Sequence, residues 1–303
     1  MAALQLQPGD IGIDCTTGAG GHTALMLGAV GESGKVFAID RDETAIKLAA
    51  ANLDAENSAN LTLVHGRFSE LGDVICQHDL DQKVQGICAD IGVSSMHLDR
   101  SERGFSFMND GPLDMRMDQG SGRTAADIVN EESEEELTRI FREYGEEPKA
   151  KFAARRIVEA REGSPITTTA ALADLVKGAI HYPARSRKHP ATKVFQALRI
   201  AVNEELGELQ TMLDDAFAAL RPGGRLAIIS FHALEDRIVK TKFRELAGRV
   251  KEEVPRGLPI PNREEKAPGK IVKPFPQKPT DEEIERNPRA RSAKLRVVEK
   301  EGQ

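Results

Sequence analysis

The sequence predicts an α/β fold: a mostly parallel, Rossmann-like sheet interrupted by an inserted all-helical domain. Three observations carry that expectation. Short apolar runs alternate with helix-like runs through the first ninety residues, the pattern of a parallel sheet covered by helices on both faces. A glycine-rich turn, Gly18-Ala-Gly-Gly21, separates the first apolar run from the first helix-like run, as nucleotide-binding turns do. From Thr124 to about Asn203 the periodicity is helical, with no strand signal, before the α/β pattern resumes.

Taken in order, the strands are expected at Ile11 to Cys15, Val36 to Asp40, Leu61 to His65 and Val84 to Ile91. Helices fall between them at Thr23 to Val30, Glu43 to Leu53 and Ser69 to Gln77. From Gly92 to about Gly122 the chain is rich in Gly, Ser, Asp and Met and reads as a long loop, a kind of segment that is usually functional or disordered. Leu137, Ile140, Phe141 and Tyr144 then recur at helical spacing, as do Leu172, Leu175, Val176 and Ala179. A helix at Glu204 to Leu220, the turn Arg221-Pro-Gly-Gly224, a strand at Leu226 to Phe231 and a helix at Leu234 to Leu246 restore the α/β order. A Pro- and Lys-rich segment after Arg249 reads as an extended arm or surface loop, and Ala293 to Glu299 as a last strand at the sheet edge. The expected division is a discontinuous sheet domain of residues 1–103 and 204–303, with residues 104–203 as an inserted loop and helical substrate-recognition domain.

Composition excludes several classes. No run approaches the roughly 18 apolar residues of a membrane span, and the N-terminus carries neither signal-peptide nor transit-peptide features. The cytoplasm is the expected location. Cys15, Cys76 and Cys88 form no disulfide framework and no metal motif, and read as core residues. No His/Cys/carboxylate set has zinc-ligand spacing, so no metal is expected. The net charge of -6 does not advertise a nucleic-acid binder, yet from Arg249 to Lys300 basic residues outnumber acidic ones by 14 to 9. The segment His181 to Lys193 carries Arg185, Arg187, Lys188, His189 and Lys193 without an acid. Such clusters on an acidic protein favour RNA phosphate contacts. The five glutamates between Glu131 and Glu136 read instead as a solvated helix start, where negative charge suits the helix dipole.

The chemistry begins at the glycine turn, where side chains would keep the backbone from approaching a ligand laid across the strand ends. Asp40 closes the second strand, 19 residues after Gly21, where an acid can accept hydrogen bonds from a ribose. The dinucleotide pattern G-x-G-x-x-G is imperfect, because Thr23 occupies the last glycine's place. S-adenosylmethionine has no pyrophosphate and suits the turn at least as well. Phe68 follows the third strand, where its ring can lie against an adenine or simply join the core. Asp90 ends the fourth, where its carboxylate can hold an amine or cap a turn.

Four linked motifs then point to a family. They are Asp14-x-Thr-x-Gly-x-Gly-Gly-His22, the run from Gly92 through Asp114-Met-Arg-Met117, Ser230-Phe-His-x-Leu-Glu-Asp-Arg237, and Asn287-Pro-Arg-x-Arg-Ser-Ala-Lys-Leu-Arg296. Across nearly the whole chain the sequence resembles the bacterial 16S rRNA (cytosine-N4)-methyltransferases and their mitochondrial relatives. The resemblance implies a class I methyltransferase sheet and S-adenosylmethionine-dependent methylation of the exocyclic amine of a cytidine in the decoding region of small-subunit rRNA. The implied partner is the small ribosomal subunit, with no membrane partner, and monomer and homodimer both stay open.

Carried over by position, the family's cofactor contacts fall on Gly20, Gly21, His22, Asp40, Phe68 and Asp90, with His97 in place of the family's glutamine. Met96 also stands where the family usually has proline, and Met1-Ala-Ala-Leu4 departs from its usual His-x-Pro-Val-Leu leader. That second departure puts the edge of the cofactor pocket in question. DNA amino-methyltransferases place a Pro-Pro-aromatic motif after the fourth strand, whereas this chain reads Asp90-Ile-Gly-Val93. The expected amine-hydrogen acceptor is Asp90 or Asp114, and Phe105, Phe107 or His232 is expected to flank the base. Arg116, Arg185, Arg187, Lys188, Arg289 and Arg291 are expected on the RNA. Each has a plainer role open to it: Asp114 and Arg116 as a loop-stiffening pair, the two phenylalanines as core, and His232 as a satisfied histidine at a strand end. Two rival functions share part of these features, a nicotinamide-dependent oxidoreductase and a non-catalytic RNA-binding or assembly factor.

Overall fold

The computed structural model describes residues 2–56, 58–180, 182, 189–249, 266–274 and 276–302. The chain divides into two compact units, residues 1–92 with 206–303, and 93–205. The first unit's opening segment ends at Gly92, where the α/β alternation breaks in the sequence.

In the first unit the order is β1 (Ile11–Asp14), α1 (Gly21–Val30), β2 (Lys35–Asp40), α2 (Glu43–Asn52), β3 (Leu61–His65), α3 (Leu71–Gln77) and β4 (Val84–Asp90). The second unit follows with α4 (Ser95–Asp99), α5 (Ala125–Glu131), α6 (Glu134–Glu143), α7 (Ala150–Arg161), α8 (Thr169–Ala179) and α9 (Ala191–Asn203). The chain returns through α10 (Glu205–Ala219), β5 (Leu220–Ser230), α11 (Ala233–Leu246), β6 (Gly269–Ile271), α12 (Asp281–Arg286) and β7 (Lys294–Lys300).

The seven strands are ordered β3-β2-β1-β4-β5-β7-β6. Neighbours from β3 to β5 are parallel, and β7 runs antiparallel to both β5 and β6. The last strand is therefore interior, a correction to the expected edge position. Its adjacent valines, Val297 and Val298, are both fully buried, which only a strand covered on both faces permits. Three-residue β6, which takes the edge, is too short to produce a periodic signal. The Arg221 to Gly224 turn is accommodated as a bulge: Val84 pairs with Leu220 and Gly86 with Arg225, leaving the residues between out of register.

Helices cover both faces of this sheet. Met26 and Val30 of α1 pack with Leu4, Leu6, Val36 and Cys88 on one side. On the other, Leu71 and Val74 of α3, Leu209 to Phe217 of α10, and Val239 and Phe243 of α11 pack on Ile13, Ile87 and Leu226. Cys15 and Cys88 are buried in these layers, but Cys76 is exposed; it lies on the outer face of α3, where its apolar neighbours Val74 and Ile75 misled the sequence reading.

The second unit is built around Leu137, Phe141, Ile157, Leu172, Val176 and Leu198, the face that the helical spacing marked. Ser133 caps α6 by accepting from the Glu136 amide at 3.1 Å, with Glu134, Glu135 and Glu136 in the first turn. The stretch from Gly92 to Gly122 is ordered by long-range polar clamps that no local pattern announces. Arg103, 3% exposed, donates to the carbonyls of Arg116 (3.0 Å) and Met117 (2.8 Å). Gly104 sits at φ +73°, and a Cβ there would stand 2.3 Å from the Pro112 carbonyl oxygen, so only glycine fits. Asn203 accepts from the Met117 amide at 2.9 Å and donates to the carbonyls of Met115 (2.8 Å) and Arg199 (2.9 Å). Asn203→Ala leaves buried backbone groups unsatisfied and is expected to lower unfolding free energy by about 2–4 kcal/mol in a denaturant titration. An unchanged midpoint would show that the clamp is dispensable.

Candidate active site

The first strand ends in Asp14, which is fully buried. Its Oδ1 accepts from the Thr16 amide at 3.1 Å and its Oδ2 from the Thr23 hydroxyl at 2.7 Å, so one carboxylate fixes both the start of the turn and the first turn of α1. Burial raises the Asp14 pKa, while the Thr23 and Thr16 hydrogen bonds and nearby His22 pull it back only in part. The turn is suspended between neighbouring strand ends. The Thr17 amide donates to the Ile39 carbonyl at 3.0 Å, and the Thr16 hydroxyl accepts from the Asp90 amide at 2.7 Å. Gly20, the N-cap of α1, is left-handed at φ 91°, and a Cβ there would sit 3.0 Å from Leu53. Backbone and space both require glycine there. Gly21 opens α1 and is exposed, and His22 beside it is half-buried.

Asp40 ends β2 beside the same turn. Its Oδ2 accepts from the Gly18 amide at 2.8 Å and its Oδ1 from the Asp42 amide at 2.9 Å. Phe68, after β3, is half-buried and packs on the sheet core. Its loop and that of Asp40 are tied together by Glu208 of α10, 5% exposed, whose Oε1 pairs with Arg41 (3.3 Å) and Arg67 (3.1 Å). Sequence reasoning missed Glu208, because a partner 167 residues from Arg41 leaves no local trace.

Asp90 closes β4 next to Asp14 of β1, where the strand order reverses and ligands of such sheets bind. Its Oδ1 is buried and has no hydrogen-bond partner among the described residues. Burial drives its pKa up to about 6; His22 lowers it, and the charges of Asp14 and Glu235 add to the rise. A buried acceptor left open at a strand end is the kind of group that a ligand completes.

At the end of β5, His232 is the N-cap of α11. Its Nδ1 accepts from the Glu235 amide at 3.4 Å, and its Nε2 lies 2.9 Å from Oε1 of Glu235. The backbone bond assigns the neutral-ring proton to Nε2. Glu235, 1% exposed, returns Oε2 to the amides of Phe231 (2.8 Å) and His232 (3.1 Å). The signal for this was present in the sequence as a capping residue followed three positions on by Glu. Further along the motif, Asp236 holds Lys294 at 2.8 Å and Arg296 at 2.7 Å. Burial raises its pKa, but those two cations outweigh it and lower the net value. Two of the basic residues expected on RNA phosphates thus pin the last strand to α11. Arg289 and Arg291, in the turn before β7, are exposed.

The remaining residues lie in the second unit. His97 is buried, takes the Ser94 amide on Nδ1 at 3.2 Å, and stacks on Phe105 with centroids 4.8 Å apart. Phe105 is 7% exposed within that unit's core, so it serves here as packing and offers little face to a base. Phe107 is half-buried between Phe195 and His189, with centroids 4.9 and 4.8 Å away. Asp114 is held by Arg116 through two bonds, 2.8 Å from Nε and 3.0 Å from the guanidinium NH2. Burial would raise its pKa, yet Arg116 brings it below the ordinary carboxylate value. Arg185, Arg187 and Lys188 lie outside the described residues.

A glycine turn, a ribose-accepting acid and a switch point would serve many adenosine ligands. Dinucleotide-binding folds continue with a parallel sixth strand, whereas here antiparallel β7 is wedged between β5 and β6. That sheet, with an open carboxylate at Asp90 instead of a pyrophosphate cradle, defines a class I S-adenosylmethionine-dependent methyltransferase and sets aside the oxidoreductase reading. The residues fit this cofactor: Asp40 sets a carboxylate beside the glycine turn, Phe68 is a half-buried aromatic ring after the third strand, and the open Oδ1 of Asp90 suits a cationic ligand.

Comparison with known proteins carries the assignment further. The MraW methylase family model matches residues 1–301, and the chain belongs to that family. It is 50% identical over 288 residues to a protein of Methylobacterium sp. (strain 4-46) named ribosomal RNA small subunit methyltransferase H, covering 95% of this chain and 84% of that one. It is 47% identical over 302 residues to a protein of the same name from Syntrophotalea carbinolica, covering 98% and 94%. Among solved structures it is similar to an rRNA methylase from Streptococcus thermophilus at 13% identity and a TM-score of 0.40, covering 99% and 92%. Among the described residues no helix is long and apolar enough to cross a membrane.

Proposed function

We propose that this methyltransferase modifies the exocyclic N4 of a cytidine in the decoding region of small-subunit rRNA. The observation that carries the reading is the buried, open Oδ1 of Asp90 beside the glycine turn, in a chain about half identical to proteins named for the small-subunit rRNA reaction. S-adenosylmethionine, when bound, supplies an electrophilic methyl group. Gly20, Gly21 and His22 would hold it at the turn, Asp40 at its ribose, and Phe68 at its adenine.

The cytosine amine is a poor nucleophile because its lone pair is delocalised into the ring. Asp90 accepts a hydrogen from that amine, orients it, and takes up the proton as the nitrogen becomes cationic. Desolvation of Asp90 strengthens this bond. Asp114 is the less suitable acceptor, since both its oxygens are engaged by Arg116. Asp114 and Arg116 instead stiffen the loop that presents Phe107, and His232 shapes the rim at the end of β5. The target base has to be unstacked to reach such a site. Arg289 and Arg291 are assigned to the RNA backbone, together with Arg185, Arg187 and Lys188 of the sequence, whereas Arg116 is committed to Asp114. The second unit acts as the substrate-recognition domain.

Methylation of small subunits from a strain lacking the activity, followed by mass spectrometry of the nucleosides, tests the reaction. N4-methylcytidine is expected, and a methylated adenosine or guanosine would overturn it. Within the same assay Asp114→Asn is expected to lower kcat at least tenfold less than Asp90→Asn. His232→Ala is expected to cost about 0.5–2 kcal/mol of stability through its lost cap, with a modest rise in KM. Equal losses at Asp114 and Asp90 would reverse the assignment of the two acids.

A further inference from the structure

The C-terminal half of α11, β7 and β6 enclose a cleft of about 340 Å³ that the methyl-transfer site does not use. Lys240, Arg244, Arg249 and Arg296 line it, over an apolar floor that includes Phe243 and Val297. Arg296 is committed to Asp236 at 2.7 Å. Lys240, Arg244 and Arg249 are exposed, and among the described residues none of the three has an acidic partner. Lys240 and Arg244 stand four apart on one helix face, where like charges repel. Asp236, one turn earlier on that face, is already held by Lys294 and Arg296. The chain carries a net charge of -6, so three cations around one concavity with no acidic partner among the described residues are not a sample of its average surface.

We propose that this cleft is an anchoring site for the phosphodiester backbone of the RNA substrate, remote from the reacting base. The inference rests on the rRNA reading above and adds where the strand is gripped. A row of cations along one cleft matches a phosphodiester backbone, with phosphate oxygens on the guanidinium and ammonium groups. The volume is at the small end of the range for ligand sites, about 300–1,000 Å³. Because α11 starts at the end of β5 and runs back along the sheet, Lys240 to Arg249 lie about 10–25 Å along the helix from His232. A contact so placed acts equally before and during reaction, so it sets KM and leaves kcat unchanged.

The test uses the full chain and a fluorescein-labelled oligouridine, read by anisotropy over a potassium chloride series. Lys240→Glu/Arg244→Glu is expected to weaken binding by about tenfold or more and to make the salt slope shallower by about 1–2. The charge-preserving pair Lys240→Arg/Arg244→Lys is expected to stay within about twofold of wild type. On small subunits the Glu pair should raise KM and leave kcat and cofactor Kd unchanged. Circular dichroism guards against misfolding, and if the Glu pair unfolds, Lys240→Gln/Arg244→Gln takes its place. Unchanged affinity and slope overturn the proposal. So does displacement of oligouridine by inorganic phosphate as effectively per phosphate group, which marks a free-anion site, or loss of binding to phosphatidylserine vesicles while RNA binding is retained. If wild type fails to methylate small subunits while oligouridine binding still depends on the cleft, the substrate reading fails and the anchor stands.

Discussion

Replacing Asp90 with asparagine is expected to reduce turnover by about 10²–10⁴-fold, the range for loss of a positioned proton acceptor. Cofactor affinity should change far less. The size follows from burial: Oδ1 has no hydrogen-bond partner among the described residues, so its whole acceptor capacity is open to the amine. The acid must be ionised to accept, and its pKa of about 6 places the acidic limb of the wild-type kcat profile near that pH, with activity rising above it. The sign for stability is opposite. A folded-state pKa above the ordinary aspartate value of 3.8 means that ionisation opposes folding, so the native state is penalised as pH rises from about 4 through 6. Asp90→Asn removes the penalty and is expected to stabilise the protein by about 1–3 kcal/mol at pH 8. Paired kcat and denaturation curves across pH check both signs. A variant as active as wild type, or one destabilised at pH 8, would remove Asp90 from this role.

The second large effect is expected at Asp40. Its two oxygens hold the Gly18 and Asp42 amides beside the glycine turn. Asp40→Ala therefore deletes a charged acceptor for the ribose and frees the glycine turn at once. A hydrogen bond to a charged group is worth about 1.5–3 kcal/mol, so cofactor Kd by calorimetry should rise about 10–150-fold. Asp40→Asn keeps one carbonyl acceptor and should recover part of that loss. A cofactor Kd within twofold of wild type in the alanine variant would be fatal to the assignment.

How much of this was legible in the sequence depended on how local each cause is. The turn at Gly18 to Gly21, Asp40 and Asp90 are fixed by their strand ends, and short-range spacing exposes such positions. The amphipathic stripes at Leu137 to Phe141 and at Leu172 to Val176 were equally plain, because burial imposes the helical period on its own sequence. What stayed hidden were partnerships between distant segments. Neither Glu208 with Arg41 and Arg67, nor Asn203 with Met115 and Met117, has a sequence-local signature. The basic stretch from Arg249 to Lys300 read as a cluster suited to RNA phosphates, and only the fold shows Lys294 and Arg296 occupied by Asp236. Phe105, grouped with Phe107 as a base contact, differs from it in being buried in the core, where Phe107 is half-buried. Strand β7 was misplaced because two valines in a short run do not reveal how many neighbours a strand has.

The interior position of β7 also bears on how the protein is made. Until Lys294 to Lys300 leave the translating ribosome, β5 presents the open peptide edge of Arg225 to Ser230, the residues that later pair with β7. An unpaired apolar strand edge invites association with other chains. The nascent protein thus completes its helical insertion before its sheet, and the interval before β7 emerges is the one most vulnerable to misassembly. A chain arrested before Lys294 should be a strong client for chaperones that shield strand edges, whereas release of the last strand removes that dependence.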